Sequence, residues 1–100
     1  MSPVIFTSLT ARPGQRDAVR DALGDQLRHV AEREDGTLVY LLYEDVANPD
    51  RLWSYERYVD EAAVEAHRPH AREAVAAVAH LLVAPPEVIN ARLVGGKGAD

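Results

Sequence analysis

Cysteine is absent from this 100-residue chain. Its absence excludes disulfides, thiolate-held zinc, iron–sulfur clusters and a cysteine nucleophile. Lysine occurs once, as Lys97, and arginine supplies the other basic side chains. The net charge of −5 leaves no basic surplus to neutralise phosphates, so nucleic acid is not an expected partner. No block of like charge forms a tail or an arm. The longest apolar run, Ala74 to Pro86, is interrupted by His80 and is too short to cross a bilayer, so no membrane partner is expected. The first ten residues lack a positively charged start and a long apolar stretch, so no secretory leader is expected and the cytoplasm is the default location. Phosphate loops are missing too: Gly95-Gly96-Lys97-Gly98 closes the chain with no helix after it. No serine sits in a nucleophile-elbow pattern.

What remains is concentrated. The single Trp and all four Tyr lie between Glu34 and His70, with His67 and His70. The chain length allows one domain with a modest core. Val4 to Thr10 is β-branched and aromatic and reads as a strand, with Ile5, Thr7 and Leu9 on one face and Val4, Phe6 and Ser8 on the other. Pro13-Gly14 ends it. Gln15 to Glu34 reads as a helix with a stripe of Val19, Leu23, Leu27, Val30 and Ala31. Asp35-Gly36 stops it, with Gly36 suited to a left-handed position after the last turn.

Thr37 to Val46 is the clearest strand, apolar or aromatic on both faces: Leu38, Tyr40 and Leu42 against Val39, Leu41 and Tyr43. A strand of that kind is covered on both sides. Helices of this chain cover one side, and a second copy of the sheet is the simplest cover for the other, which predicts a homodimer. Ala47 to Asp50 is a turn, and Arg51 to Val59 returns with Leu52, Ser54, Glu56 and Tyr58 on one face and Arg51, Trp53, Tyr55 and Arg57 on the other. Asp60 caps a helix that Pro69 interrupts or restarts. A second, Ala-rich helix over Ala71 to Val83 carries Val75, Val78, Ala79 and Leu82, and Glu87 to Val94 is the last strand. The order β, α, β, β, α, β is the ferredoxin-like split βαβ pattern of an α+β domain. The domain spans 1–94, and 95–100 is a flexible tail.

Glu56, Tyr58 and His67 are the candidate catalytic residues. A carboxylate between aromatics in a strand centre is out of place unless it has partners. With a helix imidazole across the pocket it makes an acid–base pair, in which Glu56 orients or charges His67 and His67 moves a proton on a phenolic substrate. Tyr58 donates a hydrogen bond or stacks. The bland alternative pairs Glu56 with Arg51 or Arg57 of a second chain and leaves His67 closing a helix end. Tyr43, Trp53 and Tyr55 read as core or interface aromatics, and His29 and His80 as surface or packing residues. His67 and His70 share a helical face, but Pro69 stands between them and no third ligand is evident, so no metal site is expected.

The run from Glu34 to His67 resembles the antibiotic biosynthesis monooxygenase domain, including quinol monooxygenase-like proteins. Pro13-Gly14 matches the Pro-Gly before that domain's first helix, and Glu34, Gly36 and Tyr40 match its Glu-x-Gly-x-x-x-Tyr core. Asn48-Pro49, Tyr55-Glu56-Arg57-Tyr58 and Ala63 to His67 match the turn, strand and helix that follow. The resemblance implies a dimeric α+β barrel with helices outside. It also implies a cofactor-free monooxygenase that oxidises a quinol or phenolic, polyketide-like aromatic with O₂, the substrate supplying the electrons. Thr7, Tyr40 and His70 are carried over as substrate-binding positions beside Glu56, Tyr58 and His67. Arg68-Pro69-His70 follows His67 two residues sooner than the corresponding His-Pro segment of the family. Haem-degrading relatives use an Asn and a Trp where this chain has Thr7 and Tyr58, so haem is not implied. The alternatives are a non-enzymatic dimer that binds a small aromatic ligand, or a proton-transfer isomerase or cyclase on the same barrel.

Overall fold

A computed structural model describes residues 2–99. Met1 and Asp100, the outer ends of the expected domain and tail, lie outside the described residues. The elements are β1 (Pro3–Thr10), α1 (Arg16–Arg33), β2 (Thr37–Glu44), β3 (Arg51–Tyr58), α2 (Glu61–Val78), a 3₁₀ turn (Ala79–Leu81) and β4 (Glu87–Arg92). One antiparallel sheet runs in the order β2-β3-β1-β4. This is the expected ferredoxin-like arrangement, with β1 and β3 central and both helices on one face.

The registers decide what the helices cover. Ile5 opposes Glu56, Thr7 opposes Ser54 and Leu9 opposes Leu52, so these side chains share the helix side of the sheet. Along β3 burial alternates strictly, and Leu52, Ser54, Glu56 and Tyr58 are the buried set. The apolar core is split in two on this face. Leu9, Ala11, Val19, Leu23, Leu52, Val78 and Leu82 pack at one end, and Ile5, Tyr58 and Val64 at the other. Between them the sheet presents Thr7, Ser54 and Glu56.

Several features differ from the sequence-based expectation. The helix does not break at Pro69: α2 runs unbroken from Glu61 to Val78. A proline in a helix interior costs roughly 3 kcal/mol through a lost hydrogen bond and a clash. Here Pro69 and Glu65, whose carbonyl loses its donor, both lie on the exposed side, so the freed carbonyl is not buried without a partner. Asp60 caps α2 as expected, its carboxylate accepting from the Ala63 amide at 2.9 Å. The final helix of the sequence reading is shorter, giving way to the 3₁₀ turn.

Gly36 is not left-handed; it is absent from the positive-φ glycines. It is there for space, because a Cβ at Gly36 would lie 2.6 Å from the Cβ of Ala63. Leu38 does not share a face with Tyr40 and Leu42. The β2–β3 register slips between Thr37 and Val39, which leaves Leu38 exposed and pairs Thr37 with Tyr58. The extra residue of such a bulge re-aims the side chains before it. Thr37 thereby joins the helix side, where the site needs it.

At the other end of β2 the strand stops at Glu44, because Asp45 gathers the turn. Its carboxylate accepts from the Trp53 indole at 2.9 Å and from the Asn48 and Ala47 amides at 2.8 and 2.7 Å. These bonds, the indole's foremost, hold Asp45 down at a pKa of about 2.

Candidate functional site

Glu56 lies on the floor of the gap between the two core clusters and is only 5% exposed. A carboxylate there needs donors, since burying an unpartnered charge is costly. It has three: Tyr58 Oη donates to Oε1 at 2.5 Å, Ser54 Oγ to Oε2 at 2.6 Å, and Thr7 Oγ1 to Oε2 at 3.4 Å. Strand alternation supplies Ser54 and Tyr58 from either side of Glu56, and β1 supplies Thr7 across the sheet. Burial, reinforced by the hydrogen bond to Glu56, holds the Tyr58 phenol well above its ordinary range. Tyr58 therefore stays a donor at neutral pH.

His67 reaches this floor from α2 and is 4% exposed. Its Nδ1 lies 2.7 Å from Glu34 Oε1, and its Nε2 lies 3.7 Å from Glu56 Oε1. The ring of Tyr40 is 5.3 Å from the imidazole, centroid to centroid, and that of Tyr58 is 5.5 Å. The Tyr40 phenol is also pushed up, by burial first and then by the charge of Glu56. Glu34 is itself positioned: Thr37 Oγ1 donates to Oε1 at 2.9 Å, and His29 Nε2 stands 3.6 Å from Oε2. A carboxylate accepting from Nδ1–H leaves Nε2 as the other ring nitrogen, on the side of Glu56 and the cavity that both residues line.

That assignment differs from the sequence reading, which gave Glu56 the task of orienting His67. The close contact belongs to Glu34. Two features of the sequence point to Glu34 in retrospect. It ends α1, where the helix dipole disfavours an anion, and it belongs to the Glu-x-Gly pattern. What sequence does not carry is the bulge that brings Thr37 to it. Gln26 is also unannounced: it interrupts the apolar stripe of α1, is buried, and faces Tyr40.

Thr7, Tyr40, Glu56 and His67 all line one cavity of ≈480 Å³ between the sheet and α2. Its walls are apolar, from Ile5, Leu9, Leu23, Leu42, Val64 and Val75. Tyr58 does not line the cavity: it lies beneath the floor, fully buried, with its hydroxyl on Glu56. His70 does not line the cavity. It lies against His29 at the α1–α2 contact, with ring centroids 4.0 Å apart. A second cleft of ≈450 Å³ at the start of α2, beside Pro3, Glu61 and Arg92, has no acid–base cluster at its floor. No group of three or more His, Cys, Asp or Glu side chains is placed to hold a metal among the described residues.

The family model for antibiotic biosynthesis monooxygenases matches residues 4–79, which contain every residue of this acid–base cluster. The chain belongs to the antibiotic biosynthesis monooxygenase family. Similar solved structures include Rv0793 from Mycobacterium tuberculosis. It is 28% identical over 97% of this chain and 99% of its own, with a TM-score of 0.85. The protein NE2512 from Nitrosomonas europaea, of unknown function, is 30% identical over 96% and 92%, with a TM-score of 0.82. A protein from Chloroflexus aurantiacus, provisionally assigned as an antibiotic biosynthesis monooxygenase, is 28% identical over 98% of both chains, with a TM-score of 0.75. No curated protein is detectably similar in sequence. As a family member the chain brings a shared α+β scaffold, and no helix among its described residues is long and apolar enough to cross a membrane.

Proposed function

We propose that this protein is a cofactor-independent monooxygenase that oxidises a hydroxylated aromatic, a quinol or a phenol, with O₂. The observation that carries the reading is the Glu34–His67 pair at the buried side of an apolar cavity, with Nε2 on the side of Glu56, which also lines the cavity. A cavity of ≈480 Å³ is in the usual range for a small-molecule site.

In this reading His67 Nε2 takes the proton of the substrate hydroxyl, and Glu34 balances the imidazolium through Nδ1–H. The arenolate passes one electron to O₂, and the aryloxyl radical and superoxide join as a peroxide at a ring carbon. The imidazolium returns its proton to the peroxide. Loss of the ring hydrogen with cleavage of the O–O bond leaves a carbonyl and releases water. For a naphthol the balance is naphthol plus O₂ to naphthoquinone plus water, so the substrate supplies every electron. Glu56, held by its three hydroxyl donors, fixes the polarity of the floor beside Nε2. Thr7 and Tyr40 border the ligand.

Oxygen uptake by the purified protein with dihydroxynaphthalenes and anthrones, without added metal or flavin, is the expected result. Absence of uptake across the panel, with those compounds bound in the cavity, would transfer the site to ligand binding or proton transfer.

The same reading includes a homodimer. The sheet face away from the helices carries apolar side chains on all four strands, Tyr43 and Leu41 on β2, Tyr55 on β3, Phe6 on β1 and Ile89 on β4, with Arg51 and Arg57 of β3 among them. Phe6 and Tyr55 stack at 5.5 Å, while Leu41 and Tyr43 remain 47% and 48% exposed. An open apolar sheet face of this extent is an association surface. Light scattering at micromolar concentration should return twice the 11.0 kDa chain mass; a monomer would contradict the proposal.

A further inference from the structure

The cavity has charge at both ends and almost none between. Its closed end holds Glu56, with Glu34 behind His67. Glu56 is the only carboxylate lining it among the described residues. On the α2 side it is lined by Arg68 and Arg72, both exposed, and on the β4 side by Asn90. Arg68 is half-committed to Glu65, 3.0 Å away in an exposed i,i+3 pair of the kind that contributes little. Arg72 takes part in none of the ion pairs among the described residues. In a chain of net charge −5, the charged side chains among the exposed lining residues are both cationic.

Helical rise gives the spacing. Arg72 is five residues beyond His67 on α2, or about 7.5 Å along the axis at ~1.5 Å per residue. That is close to the length of two fused aromatic rings. A ligand with a neutral hydroxyl at one end and an anion at the other has one favourable orientation here. Its anion is repelled by the carboxylates of the floor and drawn to the guanidiniums at the mouth, which leaves the hydroxyl beside His67 Nε2. Guanidinium forks match a carboxylate in two parallel hydrogen bonds.

We infer that the substrate is a hydroxyaryl carboxylic acid, its carboxylate held by Arg72 with Arg68 and its hydroxyl presented to His67. The inference rests on the reading of the cavity as a site for hydroxylated aromatics and deepens it by naming the group at the far end. Arg72 and Arg68 are specificity residues in this scheme and take no part in the proton transfer.

The probes are 6-hydroxy-2-naphthoic acid, with the two groups at opposite ends, and 2-naphthol, which lacks the carboxylate. Their affinities are measured by fluorescence titration at low and high salt. The acid should bind about tenfold more tightly than the naphthol, the effect of one charge-assisted contact at an exposed site. That preference should shrink in high salt, which screens exposed ion pairs. Arg72→Gln with Arg68→Gln should abolish the preference while leaving 2-naphthol affinity unchanged, an internal control for folding. Equal affinity of the two probes, or a preference that survives the double substitution, overturns the inference. Binding of neither probe overturns it together with the cavity assignment. Preferential binding of the acid without oxygen uptake sustains it and removes only the oxygenase chemistry.

Discussion

Oxygen uptake should fall by about 10²–10⁴-fold in His67→Ala, the usual contribution of a positioned general base. Glu34→Gln should approach the same loss although it changes no atom that touches substrate. The wild-type carboxylate accepts from Nδ1, 2.7 Å away, so Nε2 is free to accept a proton. A glutamine amide at that position can instead donate to Nδ1. The imidazole then carries its hydrogen on Nε2, the wrong tautomer for a base, and the imidazolium loses the charge that balances it. Thr37, which donates to Glu34 Oε1 at 2.9 Å, accommodates either side chain, so Glu34→Gln should fold. The discriminating readout is the affinity for 2-naphthol, which should change little while turnover collapses. Full turnover in His67→Ala would remove His67 from the chemistry. Full turnover in Glu34→Gln alone would leave His67 as the base and show that it needs no orienting partner.

The largest stability loss is expected at Tyr58. Its side chain is fully buried, packs with Ile5 and Val64, and donates to Glu56 at 2.5 Å. Truncation to alanine should cost about 3–5 kcal/mol, the range for emptying a buried aromatic site. At roughly 4–8 °C per kcal/mol for a domain of this size, Tm should drop by well over ten degrees. Tyr58→Phe separates the two contributions. It keeps the ring and removes the hydroxyl, so the loss should be about 1.5–3 kcal/mol for a hydrogen bond to a charged group. If Tyr58→Phe is neutral, Ser54 and Thr7 suffice to hold Glu56. The same geometry sets a pH dependence. The folded-state pKa values of Tyr58 and Tyr40 are raised, so the unfolded chain loses these protons first. Stability from both phenols is present below their unfolded pKa of about 10 and declines as pH rises beyond it. Denaturation midpoints measured upward from that pH should fall, and less steeply in Tyr58→Phe.

Part of this was determined by the sequence alone. Strand alternation put Leu52, Ser54, Glu56 and Tyr58 on one buried face, because a two-residue period is a local property of extended backbone. Element order followed from periodicity and turn residues, and Asp60 marked the start of α2 because its side chain caps the helix within three residues. Glu56 and His67 stood out because their chemistry is at odds with their surroundings, and Thr7 and Tyr40 came with the family pattern. Only the tertiary structure decided the partners. Glu34 and His67 are 33 positions apart, and nothing local announces that a bulge at Leu38 turns Thr37 inward to hold Glu34. Gly36 looked like a left-handed stop, but the approach of Ala63 is what requires it. Pro69 looked like a break, but the exposure of its helix face lets α2 continue and carry His67, Arg68 and Arg72 along one wall of the cavity. His70 shares that helix, yet the packing of α1 draws it to His29 and away from the cavity. Local sequence sets which side chains share a face. Which faces meet, and at what register, is set by contacts between residues far apart in the chain.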